Sequence, residues 1–418
     1  MRAVALIDGE HYPPVVRDAL ASLRHDVVAA VLVGGTEKLR GGEDYGVPVL
    51  QSLDEAIDEH APELVFDLSD EPVLGPRERL LMTSRTLARG IPYEGADFRF
   101  EPPVLEPFAG PSLGIIGTGK RIGKTAVAGH VARRLSQTRD VVIVAMGRGG
   151  PPEPELADVP PTLERLLELS RSGAHAASDY LEDAALTGVV TIGCRRCGGG
   201  LAGMPVDSNV SRGAELAASR DPDLVIFEGS GAALPPIETR RRILVGGAHQ
   251  PPELVVGYLN AYRVLVSDLV VLTMADAESR HAEIREAIHG LKPDLPVIAT
   301  ALRPSPVTEI AGRRVAFFST APAEVLERLA DHLAEEHGAE ITHASGSLSN
   351  REELRRELES VEADVFLVEI KAAAIDVVAE AAAERGVEVV FARNEVLPLP
   401  GEQDLDAELD ALAEAATA

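Results

Sequence analysis

Gly117, Thr118, Gly119, Lys120, Arg121, Ile122, Gly123, Lys124 and Thr125 have the types and spacing of a loop that grips phosphate. An apolar run, Ser112 to Ile116, precedes them, and Ala126 to Leu135, of helix-forming composition, follows. That is the strand, loop, helix order in which successive backbone N–H groups converge on phosphate oxygens and the helix N-terminus adds its partial positive charge. Gly119, Lys120, Arg121, Ile122, Gly123, Lys124, Thr125 and Ala126 are the expected nucleotide contacts. Lys124 reaches the β- and γ-phosphates, Lys120 assists at the transferring group, and Thr125 offers its hydroxyl to Mg²⁺. In the usual pattern the first glycine falls at position 118, which here is threonine; Gly117 stands one residue earlier.

Four further segments carry polar chemistry after or beside apolar runs. Met146, Gly147, Arg148, Gly149, Gly150, Pro151, Pro152, Glu153, Pro154 and Glu155 place an arginine between glycines that admit a close backbone approach to phosphate. Arg148 is thus a catalytic and substrate-binding candidate, and Glu153 and Glu155 are candidate metal ligands; a proline-rich surface loop is the other reading. Gly193, Cys194, Arg195, Arg196 and Cys197 open a glycine-rich stretch that runs to Gly203. A C-x-x-C pair suggests zinc or redox chemistry, but a structural zinc needs four ligands and no second pair exists. An anion-binding loop using backbone N–H groups and the guanidinium forks of Arg195 and Arg196 is the better reading.

Glu228, after Leu224 to Phe227 and before Gly229, Ser230 and Gly231, stands where a metal-holding carboxylate belongs in a phosphate-loop domain. Arg240, Arg241 and Arg242 are three consecutive cations in an acidic chain, read either as a substrate contact, with Arg240 foremost, or as a surface ion-pair cluster. Asp8 to Tyr12, after the first strand, is a turn and helix cap or a substrate contact.

The formal net charge of −27 argues against nucleic acid and anionic membrane as partners. Aromatics at 4% and the absence of Trp provide no base-stacking platform. Only five lysines occur, and two of them, Lys120 and Lys124, lie in the loop. A site with this many fixed cations suits two polyanions at once, a nucleoside triphosphate and a second multiply charged substrate. Two cysteines cannot form a disulfide framework. No apolar run reaches membrane-spanning length and the chain opens on a strand pattern rather than a signal peptide, so a cytoplasmic location is expected.

The elements that must position these residues read as α/β throughout. Residues 1–108 alternate strands (Val4 to Ile7, Val27 to Val33, Leu64 to Leu68) with helices (Pro14 to Leu23, Leu53 to Glu59, Arg77 to Arg89), as a Rossmann-like parallel sheet requires. A proline-rich linker, Glu101 to Pro111, comes next. Residues 109–311 form the phosphate-loop catalytic domain. Its buried parallel strands read as continuous apolar runs: Val141 to Met146, Gly188 to Ile192, Leu224 to Phe227, Leu269 to Thr273 and Val297 to Thr300. Residues 312–418 form a C-terminal α/β unit with strands at Val315 to Phe318, Glu340 to Thr342, Val365 to Val368 and Val387 to Phe391, and helices at Ala323 to His337, Arg351 to Ser360 and Ala373 to Arg385. Its acidic, Ala-rich tail from Asp404 reads as a helix at best, one prone to fray.

The Gly-Thr opening at Gly117, with five residues before Gly123, is similar to the loop of dethiobiotin synthetase and its relatives. Together with Ala145 to Gly150, Gly193 to Gly198 and Phe227 to Gly231, it resembles the cyclic 2,3-diphosphoglycerate synthetase family over most of the chain. The resemblance implies a P-loop NTPase-type core and ATP-dependent closure of an intramolecular phosphoanhydride in 2,3-diphosphoglycerate, releasing ADP and phosphate, with Mg²⁺ as cofactor. Thr125, Glu228 and Glu153 are then the metal candidates, and Arg148, Arg195, Arg196 and Arg240 the substrate candidates. The product would be a compatible solute of thermophiles, and a homodimer is the expected assembly. Two other readings stay open: a nucleotide-dependent regulatory switch without a small substrate, and a dethiobiotin-synthetase-like or amidotransferase-like ligase acting on a carboxylate.

Overall fold

The structure, a computed structural model, describes residues 1–165, 168, 179–277, 279–370 and 375–418. It is mixed α/β and consists of two compact units.

The first unit holds residues 1–104, with 250–267 and 282–295 returning to it from later in the chain. Its strands are β1 (Arg2–Ile7), β2 (Asp26–Leu32), β3 (Val49–Leu50), β4 (Leu64–Asp67), β5 (Tyr93–Glu94) and β6 (Arg99–Phe100), in the order β3-β2-β1-β4-β5-β6. All neighbours are parallel except β5 and β6. Helices α1 (Pro13–Ser22), α2 (Leu53–His60) and α3 (Pro76–Ala88) cover the sheet. The α2 start is legible locally: the Ser52 hydroxyl accepts the Glu55 N–H, closing one of the orphan donors of the first turn. A short helix, Asn260–Leu265, packs on α3. In the Asp8 to Tyr12 segment, Asp8 Oδ1 accepts the N–H groups of Glu10 and His11 and lies 2.8 Å from His11 Nδ1, while Oδ2 accepts the Asp70 N–H. That is the turn-forming role of an Asx residue.

The second unit holds residues 105–249, 268–281 and 296–418. A two-strand ribbon pairs β7 (Glu106–Pro107), inside the expected linker, with β14 (Ile237–Glu238). The main strands are β8 (Ser112–Gly117), β9 (Val141–Gly147), β10 (Glu155–Ala157), β11 (Val190–Cys197), β12 (Asp207–Ser208), β13 (Leu224–Glu228), β15 (Arg241–Gly247), β16 (Leu269–Thr273), β17 (Val297–Pro306), β18 (Arg314–Phe318), β19 (Glu340–Ser345), β20 (Val365–Glu369) and β21 (Glu388–Pro398). They run in the order β10-β11-β9-β13-β8-β15-β16-β17-β21-β20-β18-β19, with β12 beside β11. From β11 to β17 all neighbours are parallel, and so are β21, β20, β18 and β19. The two parallel blocks meet at the antiparallel pair β17–β21, so residues 312–418 continue the phosphate-loop sheet without a break.

Helices α4 (Lys124–Leu135) and α5 (Asp179–Thr187) lie on one face of the first block, and α6 (Val210–Ala218) packs on β9 and β11. Every residue of β8, β9 and β13 is buried, as strands covered on both faces must be. Helices α7 (Ala323–His337), α8 (Arg351–Leu358) and α9 (Ile375–Arg385) belong to the second block. The start of the expected helix at Ala373 lies outside the described residues. The tail is not frayed: α10 (Leu405–Thr417) is capped by Asp404, whose carboxylate accepts from the N–H groups of Asp406 and Ala407. It buries Leu405, Leu409, Ala413 and Ala416 in the same core cluster as Val127, Val131 and Leu135 of α4. These four residues fall at helical spacing on one side of the tail, and that stripe has a groove to fill.

Candidate active site

The loop begins where β8 stops being paired. Thr118 N–H still reaches Val245 O at 3.0 Å on β15, and the chain then leaves the sheet. Arg121 and Gly123 have positive φ, 57° and 72°, and Gly123 caps α4. A Cβ on Gly123 would meet Leu302 Cδ1 at 2.9 Å and would sit in a backbone conformation that favours glycine. Thr273, at the end of β16, donates its hydroxyl to Ile122 O at 2.7 Å and pins the loop from below. Ile122 is buried beneath it. Thus Gly119 to Ala126 run from the carboxyl end of β8 into the first turn of α4, where ligands of parallel sheets bind.

Lys124, at the first position of α4, donates to Glu228 Oε1 at the end of the neighbouring strand β13. The pair is largely buried, Lys124 side chain 10% exposed and Glu228 1%. Glu228 and Lys124 share this edge because β13 pairs with β8 in parallel register, Glu228 opposite Ile115.

After Glu228 the chain turns sharply. Gly229 N–H reaches Ile115 O, and Gly231 has φ 59°. Cations converge on this turn. Arg196 donates through Nη2 to Ser230 O at 2.9 Å and to Ser230 Oγ at 3.3 Å, and through Nη1 to Gly198 O at 2.5 Å. A Cβ built on Gly231 would stand 2.9 Å from Arg148 Nη2 and 3.7 Å from Lys120 Cγ. Burial first, and then the neighbouring Arg148, push the Arg196 guanidinium below its ordinary value.

The remaining expected residues fall elsewhere. Gly193 to Cys197 is not a loop but the second half of β11, paired in parallel with β9 and, at Arg196 and Cys197, with β12. The Arg195 N–H is spent on Asn209 Oδ1 at 2.7 Å, which removes the anion-binding-loop reading for this stretch. Successive strand residues face opposite ways, so Arg195 does not join Arg196 at the turn. Cys194 is buried and Cys197 exposed, both free thiols, and among the described residues no group of three His, Cys, Asp or Glu is placed to hold a metal. Burial pushes the Cys194 thiol up to about 12.

Arg240, Arg241 and Arg242 enter β15 at its amino end: Arg241 pairs with Leu113 whereas Val245 pairs with Gly117. Four strand residues, about 13 Å, therefore separate them from the loop. Arg240 is exposed and donates to Ala109 O. Glu153 is exposed and ion-paired with Arg212 of α6, and Glu155 accepts from Tyr180 Oη at 2.7 Å.

One further acidic group, with no motif around it, lies in this core. Asp183 of α5 is 1% exposed. Burial, and then the Glu228 carboxylate beside it, hold its carboxyl well above the usual carboxylate range. Its Oδ2 is buried without a hydrogen-bond partner. Such an orphan costs about 1–3 kcal/mol, more when charged. The available signal is an acid within a helical stripe: Tyr180, Asp183, Ala184 and Thr187 follow i, i+3, i+4, i+7 spacing, the register of a core face.

Strand, glycine-pinned loop, buried lysine and facing carboxylate define a P-loop enzyme. Comparison with known sequences narrows the class: profiles described as the N-terminal, P-loop and C-terminal domains of cyclic 2,3-diphosphoglycerate synthetase match residues 2–101, 112–301 and 306–395. The chain belongs to the cyclic 2,3-diphosphoglycerate synthetase family. A curated relative of that name from Rubrobacter xylanophilus is 50% identical over 436 residues, covering 100% of this chain and 98% of its own. Another from Thermococcus kodakarensis is 45% identical, covering 95% of each chain. A third from Methanothermus fervidus is 42% identical, covering 94% of this chain and 92% of its own. Among solved structures, LpxK from Aquifex aeolicus in complex with ATP aligns at TM-score 0.43 and 13% identity, over 75% of this chain and 90% of that one, too loosely to inform function. The chain is a ligase-type enzyme of that family, and no helix among the described residues is long and apolar enough to cross a membrane.

Proposed function

We propose that the protein uses ATP and Mg²⁺ to close the phosphoanhydride ring of cyclic 2,3-diphosphoglycerate from 2,3-diphosphoglycerate, releasing ADP and phosphate. The observation that carries this reading is the cationic turn beside the loop: Lys120, Arg148 and Arg196 gathered around Ser230 and Gly231, a short turn from the Lys124–Glu228 pair. A nucleotide alone does not call for that many cations; a substrate with two phosphates does. The names of the relatives support the choice of acid.

In the first step an oxygen of one substrate phosphate attacks the γ-phosphorus and the bond to ADP breaks. The other substrate phosphate then attacks the phosphorus bound to the substrate, the new anhydride closes the ring, and inorganic phosphate leaves. Each nucleophile is already an anion, so the protein's task is to hold like charges together. Lys124 and the loop N–H groups take the nucleotide phosphates; Lys120, Arg148 and Arg196 take the acid. Glu228 and the Thr125 hydroxyl fit Mg²⁺, which favours oxygen ligands and keeps several waters, and Lys124 shows that a cation already rests on Glu228. When bound, the metal neutralises charge on the transferring group. Glu153, engaged by Arg212, is left out of that ligand set, and Arg195 and Arg240 are left out of the substrate set.

The division at 1–108, 109–311 and 312–418 we keep as a functional one, supported by family matches that break near 101–112 and 301–306. A cytoplasmic homodimer is the assembly we expect. Phosphorus NMR of protein, ATP, Mg²⁺ and 2,3-diphosphoglycerate tests the reaction. A new phosphoanhydride signal rising with ADP supports it; ADP release that is the same with and without the acid would mark a switch, and turnover of a carboxylic acid instead would mark the dethiobiotin-like alternative.

A further inference from the structure

The second parallel block is wound in both directions from β18. The chain goes from β18 to β19 on one side, then back across to β20 on the other. Leu333 of α7 packs with Val315 and Phe317 on one face of this block, while α8 and α9 pack with Ala316 and Phe318 on the opposite face. Ligands of such sheets bind beyond the carboxyl ends of the strands where the winding reverses. Because β21 runs antiparallel to β17, those ends point to the edge of the sheet opposite the phosphate loop. Six strand spacings, about 29 Å, also separate β18 from β8.

A cavity of about 630 Å³ opens there, between the start of α7, the end of β19 and α8. That is the size of a small-molecule site. The loops after β18 and β19 meet backbone to backbone along it: a Cβ on Gly346 would stand 2.5 Å from Ala321 O. Ala321, Pro322 and Leu326 give it apolar surface, and Glu357 of α8 gives it a partly exposed carboxylate. Ser347 donates its hydroxyl to Glu357 Oε1 at 2.7 Å, and Oε2 lies 3.3 Å from His343 Nε2. Burial would raise this carboxyl, but the hydroxyls of Ser345 and Ser347 and the His343 ring outweigh it and hold it below the usual carboxylate value. Thr320, on the same cavity, is bound through its N–H and its hydroxyl to a second carboxylate, Glu369. Among the described residues no lysine or arginine lines the cavity. An ionised acid with hydrocarbon beside it and no fixed cation is complementary to an organic cation.

We propose that this cavity binds a small organic ammonium, its N–H groups on Glu357 and its hydrocarbon on Leu326 and Pro322. A carboxylate offers about four lone-pair positions. Ser345, Ser347 and His343 supply three donors, which leaves room for one from the ligand. The site stands at the other edge of the sheet from the phosphate loop and does not rest on the reading of the chemistry there.

The test uses the full-length protein and three probes with the same carbon chain, butylammonium, butanol and butyrate, with binding read by saturation-transfer difference NMR. Butylammonium should bind wild-type protein at least about tenfold more tightly than butanol, and butyrate should not bind. Glu357→Gln keeps the shape and removes the charge. It should bring butylammonium down to the level of butanol, while ADP affinity, set at the opposite edge, stays near normal. Butylammonium that does not bind, or binds no better than butanol or butyrate, overturns the proposal. So does undiminished butylammonium binding in a Glu357→Gln protein that still binds ADP, since the cation is then held elsewhere on an acidic surface. If Glu357→Gln does not fold, Ala323→Phe carries the test. It places a ring at an exposed position of the cavity lining and leaves Glu357 in place. It should block butylammonium, and binding that persists in it overturns the proposal.

Discussion

Lys124 and Glu228, 104 residues apart in the chain, meet in a buried ion pair that ties the phosphate-loop helix to the neighbouring strand. Lys124, expected to hold phosphate, donates to a carboxylate. A part in stability and a part in catalysis are both expected of the pair, and the two separate experimentally.

Lys124→Ala should lower turnover of ATP by a factor of about 10² or more, the effect of removing a preorganised charge from a transferring group. It should also destabilise the nucleotide-free protein by about 3–5 kcal/mol, because Glu228 is left buried without its cation beside Asp183. Steady-state rates and chemical denaturation measure the two effects. Unchanged rates in a folded variant would take the loop out of the mechanism.

Arg196→Ala should raise KM for 2,3-diphosphoglycerate or lower kcat while ADP affinity stays near normal. Arg196→Lys should recover little, since an ammonium cannot reproduce the fork that spans Ser230 O and Gly198 O. Arg195→Ala, on the opposite face of the strand, should be close to wild type. Kinetics of the three variants decide whether the turn or the whole arginine pair binds the acid.

The two thiols should differ sharply. Burial pushes Cys194 up to about 12, so at pH 8 it carries almost no thiolate, whereas Cys197 is exposed. Mass spectrometry after alkylation of the native protein should show one modification, at Cys197, and two only after unfolding.

His130 of α4 faces Asp406 of α10 at 2.9 Å, yet burial outweighs that partner and holds the imidazole below its ordinary value. The unfolded chain then binds the proton more readily. Stability is complete above the ordinary His value, about 6.5, and is lost as pH falls from there through the lower folded value. His130→Gln should flatten that part of a pH–stability curve. Leu409→Ala, in the same contact, should cost about 2–5 kcal/mol at any pH.

The local grammar of the chain is legible. Ser112 to Ile116 has to be a buried strand, and the glycines and Lys124–Thr125 after it have to be a phosphate loop, because each local choice agrees. What local grammar lacks is pairing between distant strands. Nothing in Arg240 to Arg242 tells that they start a strand at its amino end, since an arginine run carries no period-2 signal. Nothing in Val387 to Phe391 tells that its strand continues to Pro398 and pairs antiparallel with β17. Cys194 to Cys197 reads as a loop because Gly198, Gly199 and Gly200 come directly after it, yet the pairing with β9 decides its conformation. Asp183 escapes notice because a single acid inside an apolar stripe is quieter than a motif.

The seating of α10 against α4 makes the nucleotide-binding module inseparable from sequence far beyond it. His130 and Arg134 meet Asp406 and Asp410 across 276 positions, and Leu405, Leu409, Ala413 and Ala416 fill the flank between them. Contacts at such separation carry a loop-closure cost that local contacts do not. A fragment cut at 109–311, tidy by motif, would show water the apolar flank that α10 covers, and would clump rather than bind. Transplanting this loop into another scaffold therefore means carrying its distant cover along.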